Sequence, residues 1–464
     1  MSRGGASSSR AVVASLAACG LVVSMMFTLV MPLLPRFPAL LQASVGNASW
    51  MATSTMLAGA VATPIVGRLA DMYGKRRMLL ASLAALVTGS VICALAPGLA
   101  PMLAGRVLQG AASGVIPLGI SILRDRLPAA QVPMAIGVIS STVGMGAGAG
   151  LLAGGLVVDH LPWRTVFWLS AAVGAVSATV AYAVLPSAEP AGRGRVDWIG
   201  SAGLSVVLLG VLIPITKGAE WGWGSWFTLL ALTLAVLVAP LWSAYQLRTR
   251  HPIVDLRGAA APPVLLCHVA AGFIGFAGVA NFLATTVMVQ LPTSTGYGFG
   301  ASLTTVGFCL LPGTMVFLVL SPVSARLVHA RDAAFPLVLG SLVMGAGYVL
   351  RLNATDSLWH IAITSLITAS GGALTFAALP GLLMEHVPRR DTAAANAINA
   401  LFRAIGSALA SATLAGLQTG FSAGGDGHPA GTAFTVFFVT AAGAALACAL
   451  LASVVRRFPP RPNL

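Results

Sequence analysis

The stretch Gly67-Arg68-Leu69-Ala70-Asp71-Met72-Tyr73-Gly74-Lys75-Arg76-Arg77-Met78-Leu79-Leu80 decides how the chain is read. An apolar run ends at Leu69, one acid and three consecutive bases follow, and a second apolar run begins at Met78. Gly67 and Gly74 permit a tight reversal and a close helix approach. Asp71 falls where one helix ends and is expected to face the positively polarised N-terminus of the next. Such a charged hairpin pins two helices at one membrane face and breaks when they move.

Outward from the hairpin, composition sets the class. Of 464 residues, 57% are hydrophobic and only 8% charged, against about 25% charged in soluble domains. The chain is therefore expected to be an integral membrane protein, and a soluble enzyme is excluded. A helix needs about 20 apolar residues to cross the bilayer core. Fourteen runs meet that length, near 11–35, 48–70, 78–98, 101–123, 134–157, 163–185, 197–216, 226–247, 263–290, 302–325, 334–352, 358–384, 393–419 and 431–455. The 26 Lys and Arg residues test this count. Twenty fall on the hairpin's side, only Arg36, Arg164, Lys217 and Arg351 lie opposite, and Arg106 and Arg403 lie inside spans. That bias expects an even number of spans with both termini cytoplasmic in a cell membrane. It also accounts for the net charge of +14 without a nucleic-acid partner, because the bases are dispersed between apolar runs. The five cysteines sit inside apolar runs without paired spacing, as core residues rather than disulfides or metal ligands. Seven tryptophans, Trp50, Trp163, Trp198, Trp221, Trp223, Trp226 and Trp359, cluster at expected span ends, as an interfacial belt does.

Three further patterns carry mechanism. Arg106 lies in the fourth span in the pattern Arg106-Val107-Leu108-Gln109-Gly110, and an arginine within a span costs about 2.5–3.5 kcal/mol on insertion scales and usually marks function. In the fifth span, Gly146, Gly150 and Gly154 share one helix face, with Gly137 before them and Gly155 after, so a partner helix can approach closely. In the thirteenth, Asn396, Asn399 and Arg403 lie at spacings of three and four on one face. A weak internal repeat is also visible: Ala325 to Asp332 follows the tenth span as Gly67 to Gly74 follows the second, with His329 at the Asp71 position.

The hairpin, the Arg106 pattern, the glycine face and the segment Trp163-Arg164 together resemble the Major Facilitator Superfamily. With Asp197-Trp198-Ile199-Gly200 and Leu311-Pro312-Gly313, the chain looks like the fourteen-helix drug:proton antiporter branch of exporters, in its actinobacterial form. The resemblance implies an all-α membrane protein in the major facilitator fold. Six-helix bundles at 1–190 and 259–464 would flank two extra central helices at 191–258. It further implies a conformational latch at Gly67, Asp71, Gly74, Lys75, Arg76 and Arg77, proton coupling through Asp71 and Arg106, and a helix-packing hinge at Gly137, Gly146, Gly150, Gly154 and Gly155. Leu151 stands where the exporters' glycine signature has proline, which removes the expected kink.

A departure shapes the expected substrate. The first span reads Met26-Phe27-Thr28-Leu29-Val30-Met31-Pro32-Leu33-Leu34-Pro35, without the acid that branch often carries there. All twelve carboxylates, Glu189 and Asp426 among them, fall in loops or at span ends. Recognition of cationic drugs by a buried carboxylate is therefore not expected, and neutral or anionic amphiphiles are favoured. Candidate cavity residues are Met26, Gln109, Asn281, Gln290, Asn396, Asn399 and Arg403. His268 and His360 are read as interfacial residues with satisfied hydrogen bonds. The expected activity is efflux of small amphipathic compounds by alternating access, driven by a proton gradient and needing no cofactor. No phosphate-binding Gly-x4-Gly-Lys-Ser/Thr loop and no catalytic constellation is present, so neither ATP drive nor an enzyme is expected. The chain is expected to act as a monomer. The alternative is a facilitator or lipid and metabolite translocator on the same fold, without proton coupling.

Overall fold

The computed structural model describes residues 3–186, 197–249, 252–353, 356–388, 391–421 and 431–459. Outside the described residues lie the boundary expected at 190/191, the bases Arg193, Arg195, Arg250, Arg389, Arg390 and Arg461, and the acids Glu189 and Asp426. Of the side chain of Asp159 nothing is described either.

Among the described residues the chain forms fourteen long helices and no strand. They are α1 (Arg3–Leu29), α2 (Val45–Tyr73), α3 (Lys75–Leu95), α4 (Leu99–Arg126), α5 (Val132–His160), α6 (Thr165–Val184), α7 (Trp198–Trp221), α8 (Trp226–Arg248), α9 (Pro262–Gln290), α10 (Leu303–Ala330), α11 (Ala334–Arg351), α12 (Leu358–Met384), α13 (Thr392–Gly420) and α14 (Gly431–Val455). Thirteen are long and apolar enough to cross a membrane. The other, α2, has 29 residues but is diluted by Asn47, Ser49, Thr53, Ser54, Thr55 and Thr63. Serine hydroxyls start several helices by accepting a backbone N–H at the cap, Ser44 for α2, Ser225 for α8, Ser302 for α10 and Ser357 for α12.

The hairpin is tighter than its sequence suggests. Helix α2 continues through Asp71 to Tyr73 and α3 begins at Lys75, so the acid and all three bases are helical. Gly74 alone reverses the chain, at φ 103°, a region in which L side chains are strained.

The packing makes the weak sequence repeat explicit. Within the first half α1 packs on α5, α2 on α4 and α3 on α6; eight helices on, α9 packs on α13, α10 on α12 and α11 on α14. The halves meet through the matching exchange, α2 against α13 and α10 against α5. Two parallel copies of one bundle follow directly from that pattern. Helices α7 and α8 are central in sequence but peripheral in space. Helix α7 lies against α2 and α13, while α8 packs on α7 and leaves most of its surface outward.

Buried polar groups fasten this pair. At the start of α7, the Asp197 carboxylate accepts from Gly200 N (2.7 Å), the Tyr245 hydroxyl (2.9 Å) and Gln246 Nε2 (2.8 Å). At its other end Lys217, expected in a loop, is buried instead. Its Nζ donates to Ser49 Oγ and Gly46 O of α2, pairs with Glu220 at 2.7 Å and lies 5.2 Å over the Trp50 ring.

Candidate functional site

Two adjoining lobes of empty space lie between the halves, with volumes of about 300 and 390 Å³. They share Met31, Met56, Val279 and Ser407 as walls. The smaller is lined by Phe27, Val30, Ala52 and Leu401, the larger by Leu151, Phe282, Leu310 and Phe317. These residues come from the end of α1 and from the middle reaches of α2, α5, α9, α10 and α13, so the cavity lies at mid-depth and extends away from the hairpin. No carboxylate lines either lobe, and Arg106 is the charged residue on the wall.

The hairpin end is shut by contacts between the halves. Asp71 Oδ2 accepts the N–H of Ala394 at 3.1 Å, in the first turn of α13. The acid therefore does face a helix N-terminus, but that of the opposite half and not of α3; the expectation is corrected on this point. A neighbouring approach makes it possible: Gly67 lies so near α13 that a Cβ would sit 2.6 Å from Ala397 Cβ and 3.0 Å from Ala393 O. From the end of α4, Arg124 donates to Thr392 Oγ1 (2.7 Å), Met384 O (2.8 Å) and Val387 O (3.1 Å) of the other half. Ser140 donates to Phe376 O (3.2 Å) below the cavity. The hairpin bases serve their own half instead: Lys75 pairs with Asp125 at 2.6 Å, and Arg76 donates to Tyr182 O (2.6 Å), while Arg77 is exposed.

Two carboxyls at this end have shifted acidities. Asp71, one residue beyond the apolar run 48–70, is pushed up to about 7 by burial, against the pull of the Lys75 ammonium. Glu385, just past the end of α12, is pushed up to about 7 by burial and by the nearby Asp332 carboxylate.

The structure brings some candidate residues together and separates others. Arg106 is buried, its Nε donating to Met51 O (2.8 Å) and its Nη1 to Gln109 Oε1 (2.7 Å). Gln109 in turn donates to Ser90 Oγ (2.8 Å) and lies behind the wall, not on it. Asn281 lines the larger lobe. Met26 points into the core of the first half beside Val22 and Val23, because its neighbours Phe27 and Val30 take the cavity side of α1. Gln290 is exposed at the end of α9 and donates to Thr286 O (2.7 Å). Asn396 bonds back to Thr392 O (2.9 Å), and Asn399 ties α13 to Cys267 O of α9 (3.1 Å), so both serve helix packing. The Arg403 guanidinium lies 4.9 Å over Phe376, a wall residue of the larger lobe. His268 departs from its reading: the ring is fully buried, stacked on Phe402 at 5.5 Å, with neither nitrogen hydrogen-bonded.

The glycine face of α5 divides between two partners. Gly146 and Gly150 press on α1, where Thr28 also donates to Ala147 O (2.8 Å). Gly137 meets α10, and so do Gly144 and Gly148, which the spacing pattern did not single out. Gly154 is buried, whereas Gly155 faces open space. A Cβ at Gly150 would collide with Met25 O and Thr28 Oγ1. Gly150→Ala is therefore expected to destabilise the first half by about 1–3 kcal/mol, while Gly155→Ala leaves the melting temperature in place. Thermal unfolding in detergent checks this, and equal melting of the two variants would refute it.

Residues 16–411 match the sequence profile of the Major Facilitator Superfamily. The chain belongs to that superfamily. An uncharacterized facilitator-type transporter of Mycobacterium tuberculosis is 28% identical over 406 residues, covering 85% of this chain and 57% of that protein, so the chain spans little more than half of that relative's length. The tetracenomycin C resistance and export protein of Streptomyces glaucescens is 26% identical over 383 residues, 81% of this chain and 69% of that one. Among solved structures, the proton:xylose symporter XylE superposes with a TM-score of 0.69 at 13% identity, covering 95% of each chain. This facilitator-superfamily chain is thus a multi-pass membrane protein, similar over most of its length to a relative named for tetracenomycin C resistance and export.

The sequence did not mark Lys217 and Arg351 as buried, nor Arg124 as a half-buried tie between the halves. Arg124 stands next to Asp125, and Lys217 follows an apolar run and precedes Gly218 and Glu220, the usual marks of a loop. Arg351 carried a signal, since it falls inside the apolar run 334–352 and met the same test that singled out Arg106.

Proposed function

We propose that this transporter exports small amphipathic compounds, neutral or anionic in preference to cationic, by alternating access with proton antiport. The observation that carries the reading is an apolar cavity between the halves with no acid on its wall, sealed at the hairpin end by Asp71, Gly67 and Arg124. If the base-rich hairpin end is cytoplasmic, as the charge bias expects, this is the state from which cargo leaves toward the outside of the cell membrane. The export relative supports the direction. A single chain holds both halves, so the monomer is taken as the working unit.

Coupling is assigned to Asp71, supported by Arg106. In the closed state the buried Asp71 carboxyl keeps its proton up to about pH 7; exposed to water on opening, it loses it near the ordinary value of about 4. Between those values the closed state binds more protons, so it is favoured at low pH and weakens as pH rises toward about 7, with no further change above. Opening thus releases a proton on the hairpin side, the direction that proton-driven export requires. Spin labels at Tyr73 and His329, exposed at the ends of α2 and α10, should move apart as pH rises through this window. In Asp71→Asn protein that response should flatten. A wild-type distance indifferent to pH would remove Asp71 from coupling.

The decisive experiment is substrate-driven proton flux in proteoliposomes, with neutral, anionic and cationic amphiphiles of one skeleton. Flux with the neutral or anionic members, lost in Asp71→Asn and Arg106→Ala, is expected. The acid-free wall also favours a second reading, a facilitator without coupling. Transport down the substrate gradient with no proton movement would establish that reading and end the antiport one.

A further inference from the structure

A buried charge at the last residue of α11 has no part in the reading so far. Arg351 is fully buried. Its Nη1 donates to Asn281 Oδ1 (2.8 Å) and Ser365 Oγ (3.3 Å), and its Nη2 donates to Thr285 Oγ1 (2.8 Å). The guanidinium lies 5.2 Å from the Phe438 ring, and Nε meets no acceptor. Among the described residues no acid pairs with it. The carbonyl end of α11 offers about half a negative charge, which leaves the ion under-compensated in a setting where folded proteins pair their charges.

Two of its partners, Asn281 and Ser365, are also wall residues of the larger lobe. Their chemistry toward the cavity follows from what Arg351 takes. With the amide oxygen of Asn281 occupied, the remaining polar group of that side chain is its NH₂, a donor. A hydroxyl that accepts from a guanidinium has its own proton left to give; Ser365 and Thr285, 3.1 Å apart, spend one proton on the bond between them and leave one, which Ser365 turns to the lobe when Thr285 is the donor. The wall is therefore set as donors backed by a positive charge, with no acid to oppose it. Phe282, Phe317 and Leu310 supply apolar surface in the same lobe.

We infer that Asn281 and Ser365, backed by Arg351, form an anion subsite of this cavity. It takes the carboxylate, sulfonate or phenolate of an amphiphile whose apolar body lies on the aromatic wall. The inference sharpens the substrate class of the export reading and rests on it for its role, whereas its binding test does not need transport.

The test uses the full chain in nanodiscs, titrated with anilinonaphthalene sulfonate and with its uncharged sulfonamide. Wild type should prefer the sulfonate. Asn281→Asp sets a carboxylate against Arg351 and cancels its field, so the ratio of sulfonate to sulfonamide affinity should fall by about tenfold or more. Arg351→Met should lower the same ratio; Asn281→Asp keeps Arg351 held by an ion pair and so guards against simple misfolding. No preference in wild type, an unchanged ratio in folded Asn281→Asp protein, or a ratio lost in Arg403→Met but kept in Asn281→Asp would each overturn the subsite. Transport of the same two probes in proteoliposomes separates the two readings. Intact preference without transport sinks export and leaves the subsite standing; transport with an unchanged ratio does the reverse.

Discussion

Gly67→Leu protein is expected to stand open at the hairpin end and to export at background rate while still inserting in the membrane. A single Cβ at Gly67 already falls 2.6 Å from Ala397 Cβ and 3.0 Å from Ala393 O. Backbone on the far side cannot yield, so α2 and α13 must separate before a leucine fits. Overpacking of this kind costs about 1–3 kcal/mol or more, and each 1.4 kcal/mol is about tenfold in a two-state balance. The closed population should therefore fall by about ten- to a hundredfold, which stops a cycle that has to pass through it. Asp71→Asn should do less to closure, because an amide oxygen can still accept the Ala394 N–H. The label pair at Tyr73 and His329 reads the outcome. A closed distance retained in Gly67→Leu protein, or export near wild type, would remove the α2–α13 contact from the latch.

Arg106→Ala carries the second large effect, and energies decide where it shows. Removing the guanidinium strands Gln109 Oε1, at about 1–3 kcal/mol for a buried acceptor left unpaired, whereas Met51 O still accepts from Thr55 Oγ1 at 3.4 Å. It also relieves the about 2.5–3.5 kcal/mol of holding an arginine within the bilayer. The two terms oppose each other, so stability should change by less than about 3 kcal/mol. Transport should fall by about a hundredfold, because the same group is the charge on the wall of the smaller lobe and orients Gln109. Thermal unfolding beside proteoliposome uptake tests this. If the transport loss merely tracks the folded fraction, Arg106 is structural and its assignment to coupling fails.

The fold was legible because bilayer physics leaves few options. Span length, the side on which bases fall and the glycine at 74 each answer to one constraint, and fourteen long helices follow. The latch was half legible. Asp71 at a helix end announced a dipole partner, but sequence neighbours cannot say which N-terminus comes near, and the answer, Ala394, lies 323 residues away. The cavity was least legible. Polar residues inside spans were read as lining, and of these Asn281 reached the wall while Asn396 and Asn399 were spent on helix contacts. In lipid a polar side chain gains as much from a neighbouring helix's carbonyl as from a water-filled space, so polarity alone does not choose between them. Gly144 and Gly148 escaped notice because the four-residue spacing follows the face of Gly146 and Gly150 against α1, whereas they lie with Gly137 on the face against α10. Arg351 was misplaced by the opposite error, a charge near the end of a run taken as outside it.

Helix α7 gives the cavity unequal flanks. Lys217 and Asp197 fix it to α2 and α8, but toward α13 it offers Leu204, Leu208 and Leu212 against Ile398, Leu401 and Ala408, an aliphatic face. Such a face slides without breaking directional bonds and behaves as a gasket over the α2–α13 seam. The opposite seam, between α5 and α10, has no cover of this kind among the described residues. On the export reading, lipid-dissolved cargo would meet a two-sided door with one side weather-stripped and would enter at the α5–α10 flank. A lipid-borne quencher should accordingly reach a fluorophore at Leu152 more readily than one at Leu208.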